Sequence, residues 1–252
     1  MQAMKLRRFR VDQIGELARI EGDQAHHAGT VLRLSTGDEV CVFDGTGREA
    51  TGHIETVGRD WLTVRITARK QVVEPDGPRL TIVAAAPKGD RADWMIEKCA
   101  ELGVEELIPL HCAHGQIVPG DGKLKRWRRK ADEAAKQSGQ AATMRVASPR
   151  ELEGAIAEAA KRGPSFFGDP RCDAPSFPAA LAKLMTPMPQ SLTVFIGPEG
   201  GFAEDETRDL EAGGAGPVRL ASPILRIETA AVAAAGCWAA WLLDAFPMRH
   251  FP

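Results

Sequence analysis

No C-x-x-C pair occurs among the five cysteines, Cys41, Cys99, Cys112, Cys172 and Cys237, which are odd in number and widely scattered. That pattern argues against a disulfide framework and a zinc site and predicts reduced thiols in or near a core. Long apolar runs are missing too. The longest, alanine-rich Thr229 to Leu243, falls short of a bilayer span, and the basic start Met1 to Arg10 lacks the apolar stretch of a secretion signal. The expected address is therefore cytoplasmic, with no membrane partner. Positive charge is not in excess: the formal net charge is −2, so any nucleic-acid site must come from local concentration of basic residues. Neither G-x-G-x-x-G nor G-x-x-x-x-G-K-[ST] occurs, which removes a nicotinamide dehydrogenase and a P-loop enzyme.

A 44% hydrophobic content over 252 residues is ample for a buried core and for one large domain or two smaller ones. Basic residues do concentrate locally. Lys123 to Lys130 reads K-L-K-R-W-R-R-K, with Trp127 interleaved, and Lys5, Arg7, Arg8 and Arg10 form a second cluster. Such a run is either a solvated helix face or a hold on RNA.

Residues 1–73 read as short strands with one helix. Asp23 is placed to cap a helix running through His26, His27 and Val31, and Leu62, Val64 and Ile66 alternate with polar neighbours as in a half-buried strand. E-P-D-G-P at Glu74 to Pro78 is turn chemistry and marks a domain boundary. From Leu80 onward, apolar runs alternate with helical patterns, the rhythm of an α/β domain with a largely parallel sheet. The predicted strands are Leu80 to Ala86, Leu107 to Leu110, Ser165 to Phe167, Leu192 to Ile196 and Val218 to Leu220. Between the first two, Ala92, Met95, Ile96, Cys99 and Leu102 fall at helical spacing and Gly103 supplies a stop. The last helix, roughly Glu228 to Leu243, is apolar nearly all round. It should be buried on most sides, against a second subunit if this chain alone cannot cover it.

Two segments stand at the carboxyl ends of predicted strands, where open α/β sheets place ligands. In F-I-G-P-E-G-G-F (Phe195 to Phe202), Gly197, Gly200 and Gly201 permit tight backbone turns and close ligand approach, while Pro198 stiffens the loop. An ordinary strand-to-helix connection reads the same way. In L-A-S-P-I-L-R-I-E-T-A (Leu220 to Ala230), Glu228 and Thr229 suit a helix start. Arg226, between Leu225 and Ile227 at the entry to a buried helix, is expected to need a partner or a ligand.

I-G-P-E-G-G-F followed by I-L-R-I-E-T-A resembles the paired signature of the ribosomal RNA small subunit methyltransferase E family. Further matches run in the family's order: V-L-R-L (Val31 to Leu34), V-F-D-G (Val42 to Gly45), K-G-D-R-A-D-W-M-I-E-K-C-A-E-L-G-V (Lys88 to Val104) and A-K-Q-S-G (Ala135 to Gly139). The resemblance implies a PUA-like β-barrel domain over 1–73. It is followed over 74–252 by a SPOUT α/β domain tied in a deep trefoil knot, a topology that periodicity cannot reveal. It implies S-adenosyl-L-methionine (SAM) held by three loops through Phe167, Gly168, Ile196, Gly197, Pro198, Glu199, Gly200, Gly201, Leu220, Ala221, Ile224, Leu225 and Thr229. It also implies a homodimer acting on 16S rRNA within the small ribosomal subunit, with no metal. RNA contacts are expected from Arg7, Arg8, Arg10, Arg33, Lys88, Arg91, Lys98, Lys125, Arg126, Arg128 and Arg129. Three departures stand out: Ala221 replaces a glycine, Pro223 an arginine, and Gln140 the arginine of Q-S-G-R. The family's R-S motif appears here as the unrelated stretch Ala113 to Ile117. Lost arginines weaken phosphate contacts more than cofactor contacts.

The reaction so implied is methylation of the imide nitrogen, position 3, of a uridine. That nitrogen attacks only after losing its proton, so Arg226 is expected to stabilise the anion, with Glu228 as base or as orienting partner of Arg226. Two other readings stay open: ribose 2′-O-methylation by the same fold, and a non-catalytic rRNA-binding or assembly protein.

Overall fold

A computed structural model of the chain describes residues 6–70, 77–115, 117–171, 173–185 and 188–246. Lys5, Cys172 and the Glu74 to Asp76 part of the predicted boundary lie outside the described residues. The chain divides into two compact units, Met1–Glu74 with Ala135–Thr143, and Pro75–Ala134 with Met144–Pro252.

The N-terminal unit contains β1 (Arg7–Arg10), β2 (Leu17–Glu21), α1 (Gly22–His26), β3 (Glu39–Phe43), β4 (Glu49–Val57) and β5 (Trp61–Lys70). They form a five-stranded sheet in the order β1-β3-β4-β5-β2, parallel between β1 and β3 and antiparallel elsewhere. The register of β4 against β5 shifts at Thr51/Gly52 and Ile54/Thr56, and such bulges increase local twist and curl the sheet. Only glycine fits at position 52, because a Cβ there would lie 2.2 Å from the Arg65 carbonyl oxygen. The alternation predicted around Leu62 is present: Leu62 and Val64 are buried beneath Ile20 and Ile54 in one core cluster. The predicted first helix takes another form. Glu21 rather than Asp23 is its cap residue, and after His26 the chain widens into a π-turn over His27–Val31. Arg33 follows in the left-handed region at φ 53°, the single non-glycine there among the described residues.

The second unit follows with β6 (Arg79–Ala85), α2 (Asp90–Glu101), β7 (Glu106–His111), α3 (Asp121–Ser138), β8 (Arg145–Val146), β9 (Arg150–Glu151), α4 (Leu152–Arg162), β10 (Ser165–Gly168), α5 (Phe177–Ala182), β11 (Ser191–Ile196), α6 (Glu204–Ala212), β12 (Ala215–Val218) and α7 (Ile227–Ala245). The last residues of α3 count with the first unit. The sheet runs β12-β10-β11-β6-β7-β8 with β9 also on β7, and every pairing is parallel. Central β6 is buried from Leu80 to Ala85 because both of its faces are covered, which explains its unbroken apolar run. β12 ends where the predicted strand begins, since Gly216 and Pro217 within it mask the strand signal.

Helix α2 buries Ala92, Met95, Ile96, Cys99 and Ala100 and stops at Gly103 with φ 81°. Helix α7 packs on α2, α5, β6 and β11 through Ala230, Ala231, Ala234 and Ala235, with Trp238 donating to the Pro78 carbonyl at 3.1 Å. Small side chains allow that close approach. This chain alone covers α7 on one side, the case for which a second subunit was expected. One face of α7 is buried, whereas Val232, Ala233, Gly236, Cys237 and Trp241 on the other are only partly covered.

Candidate active site

Strands β12, β10 and β11 are neighbours in the sheet, so the loops leaving their carboxyl ends lie side by side. These are the three loops expected to hold a cofactor. Their convergence is visible at Gly168, where a Cβ would meet Leu220 at 3.6 Å and Ile196 at 3.7 Å.

The glycine-rich loop is a tight turn. The Gly201 amide donates to the Pro198 carbonyl at 2.8 Å, which places Glu199 and Gly200 at its tip, both exposed, while Pro198 is buried. Gly201 has φ 77°, a conformation that favours glycine. Gly197 is confined in a different way: a Cβ would sit 3.1 Å from two carbons of the Phe202 ring, which would have to give by a few tenths of an ångström. Phe202 packs edge-on against Phe167, with ring centroids 6.4 Å apart. Phe167 is itself 1% exposed, so it supports the loops from beneath and offers a ligand its backbone.

Glu206, on the first turn of α6, braces this turn from behind. Its buried carboxylate accepts from the Ala203 amide at 2.9 Å and from the Ala113 amide at 2.7 Å, tying the segment after β7 to the glycine loop. His114 of that segment lies 3.4 Å from the Gly201 carbonyl oxygen. Burial first, and the Glu206 charge second, push the nearby Cys112 thiol up to about 11. The sequence reading passed over Glu206. Its only local signal was a glutamate three residues after the cap position, the reaching-back half of a capping box.

In the third loop, Ser222, Pro223 and Ile224 are exposed and Leu220, Ala221 and Leu225 partly covered. Arg226 is the cap residue of α7 and its side chain is exposed, which corrects the expectation that burial there demands a partner. A cation at the positive end of a helix dipole works against stability, so its placement answers some other requirement. Thr229 is exposed, while Glu228 is 6% exposed.

Glu228 was expected to act as base or to orient Arg226, and the basic side chain beside it among the described residues is Arg91. The Arg91 guanidinium, at the start of α2, lies 3.6 Å from Glu228 and 3.6 Å from Glu199. The other Glu228 oxygen, Oε2, is buried with no hydrogen-bond partner.

The basic residues expected at RNA separate into two groups. Arg8 is corrected to a packing role: it is enclosed, paired with Glu49 at 2.6 Å, bonded to the Gln140 carbonyl at 3.0 Å and laid over the Phe43 ring. Lys98 lies between Glu97 and Glu101 at 2.8 and 2.9 Å, and Arg126 pairs with Asp93 and Asp90. Trp127, read as interleaved with RNA-facing residues, is 0% exposed and belongs to the core. Arg7, Arg33, Lys88, Lys125, Arg128 and Arg129 are exposed, although Arg128 also bonds the Val146 carbonyl and Arg129 lies 3.8 Å from Glu133. Arg10 is half-buried. Among the described residues there is no cluster of metal-ligating side chains and no helix long and apolar enough to cross a membrane.

A parallel α/β domain with loops converging at three adjacent strand ends, on a chain that also carries a curled β unit, defines a class. Residues 75–239 match the model of an RNA methyltransferase domain, and residues 20–67 that of an RNA methyltransferase PUA domain. Ribosomal RNA small subunit methyltransferase E of Mycobacterium bovis is 32% identical, over 90% of this chain and 89% of its own length. Its Bacillus subtilis counterpart is 28% identical over 84% of this chain and 85% of its own length. A Legionella pneumophila protein assigned as a methyltransferase and solved with SAM superposes with a TM-score of 0.82 at 26% identity, covering 96% of this chain and 98% of that one. The chain belongs to the ribosomal RNA small subunit methyltransferase E family.

Proposed function

We propose that the protein is a cytoplasmic homodimeric enzyme that uses SAM to methylate the imide nitrogen, position 3, of a uridine in 16S rRNA of the small ribosomal subunit. The observation that carries this reading is the convergence of the three loops beside the head of α7, where exposed Arg226 and buried Glu228 stand together.

The residues present fit SAM. The exposed glycine turn offers backbone polar groups, Ile196 and Leu220 meet around Gly168 as an apolar wall, and Glu199 at the turn's tip offers a carboxylate to an ammonium or ribose hydroxyls. Gly197, Pro198, Gly200, Gly201, Ala221, Ile224, Leu225 and Thr229 complete the proposed hold. SAM supplies an electrophilic methyl group, which leaves the chain to orient the uracil and make its nitrogen nucleophilic. Glu228 is the proposed acceptor of the imide proton, a reading supported by its Oε2, which has no protein donor. Arg226 and the α7 amino terminus add positive potential that favours the resulting uracil anion. The base must leave any stack to reach them, with flanking phosphates held by Arg7, Arg10, Arg33, Lys88, Lys125, Arg128 and Arg129.

The proposal includes the trefoil knot. It is supported by β12 lying outside β10 while the helix that follows packs back on β6, β11 and α2. It includes the dimer because the partly covered face of α7 is apolar.

The test is to incubate the protein with labelled SAM and small subunits lacking native methylation, then digest the RNA and identify the labelled nucleoside. Label in 3-methyluridine is expected; label in a 2′-O-methyl nucleoside, or none with folded protein, refutes the reading. Arg226→Ala should lower turnover by about 100-fold or more with SAM affinity within a few fold.

A further inference from the structure

We infer that Arg91 is a positioning residue for methyl transfer, fixing the Glu228 carboxylate and the glycine-rich turn to one another rather than binding RNA. The inference rests on the function proposed above and adds a residue to it.

Three segments far apart in the chain meet at this guanidinium. After β6 the chain turns at Gly89, φ 62°, and enters α2, bringing Arg91 up beside the loop of β11, the neighbouring strand. Its Nη1 lies 3.6 Å from Glu199 Oε1 on the turn and 3.6 Å from Glu228 Oε1 on the first turn of α7. Both separations exceed hydrogen-bond length, so the contacts are ionic and neither carboxylate takes a directed N–H bond from Arg91.

The burial of the two carboxylates differs sharply. The Glu199 side chain is 52% exposed and Glu228 7%, so the interaction weighs most on Glu228. A buried carboxylate needs a countercharge, and Arg91 is the one basic side chain paired with Glu228 among the described residues. Arg91 thus faces one oxygen of Glu228, while the second, Oε2, is buried without a donor. That oxygen receives the substrate proton in the mechanism proposed above. The same guanidinium lies 3.6 Å from Glu199 at the tip of the glycine-rich turn and so links that turn to the Glu228 carboxylate.

The experiment measures steady-state methylation of small subunits together with SAM binding by calorimetry, for the wild type and for Arg91→Met, Arg91→Lys, Glu228→Gln and the Arg91→Met/Glu228→Gln double variant. Arg91→Met is expected to lower kcat about 100-fold, leaving KM for the subunit and Kd for SAM within about three-fold of wild type. Arg91→Lys should recover at least ten-fold of that loss, since it restores the charge. The double variant should be no slower than Glu228→Gln alone, as expected when one residue acts through the other.

A raised KM with unchanged kcat, and a shallower dependence of binding on salt, would make Arg91 a phosphate contact and overturn the inference. So would a loss confined to SAM affinity, or multiplicative losses in the double variant. An inactive but folded wild type refutes the proposed function itself and the inference with it, whereas an active wild type with an undiminished Arg91→Met variant refutes the inference alone.

Discussion

Gly197→Ala tests the construction of the glycine-rich loop, the proposed hold on SAM, at a single atom. The added methyl would lie 3.1 Å from two carbons of the Phe202 ring and 3.3 Å from the Phe202 amide nitrogen. Relief requires the ring to shift by a few tenths of an ångström, yet Phe202 is held edge-on against buried Phe167 at the end of β10. Overpacking of this kind costs about 1–3 kcal/mol. If the loop absorbs the strain by moving and SAM binding must restore its position, affinity falls by about 5- to 150-fold at 1.4 kcal/mol per decade. Two neighbouring substitutions serve as controls. At Gly200 the nearest atom to a Cβ is His114 Nδ1 at 3.9 Å, and no left-handed conformation is needed, so Gly200→Ala should bind SAM within about two-fold of wild type. Gly201→Ala meets open space but must adopt φ 77°, a backbone cost of about 1 kcal/mol, and should fall between them. Calorimetric titration with SAM measures the series, and thermal unfolding confirms that each variant is folded. A folded Gly197→Ala with wild-type affinity, or a Gly200→Ala weaker than Gly197→Ala, would contradict this account of the turn.

Trp127→Ala should cost about 3–5 kcal/mol in denaturant unfolding, because the ring lies wholly within the core, while Trp127→Phe should keep full methylation activity; a stable, RNA-deficient Trp127→Ala would return this residue to the RNA surface. Asp44 provides a pH test in the N-terminal unit. Burial pushes its carboxyl up, but the Thr46 hydroxyl and the amides of Thr46 and Arg48 together hold it below the usual carboxylate range. The folded state thus gains stability from ionised Asp44 above its unfolded value, and loses it as pH falls through the lower folded value. Unfolding of wild type and Asp44→Ala, compared between pH 7 and pH 3, should show a gap that narrows below about pH 4; a gap independent of pH contradicts the assignment.

Much of the site was legible in the sequence because its signals are local. Apolar runs bounded by turn residues located β6, β7, β10 and β11, and Phe195 to Phe202 announced a tight turn at a strand end. Helical spacing even carried the correct role of Trp127, since Leu124, Trp127 and Ala131 share the buried face of α3; the density of positive charge around it drew attention elsewhere. The strand β12 was misplaced because Gly216 and Pro217 carry no strand preference, and pairing with β10 supplies what the local sequence lacks.

Composition and order along the chain carried the α/β character of the second unit, the β character of the first, and the glycine-rich turn at the end of β11, since hydrophobic period and glycine placement act over a few residues. Folding in three dimensions makes β12, β10 and β11 neighbours, groups Ala135–Thr143 with the N-terminal unit, and encloses Arg8 between Glu49 and Gln140. It alone brought Arg91, Glu199 and Glu228 together. Strand order and charge pairing are set by crossovers and packing between segments far apart in sequence, and no short window records which distant carboxylate an arginine will meet.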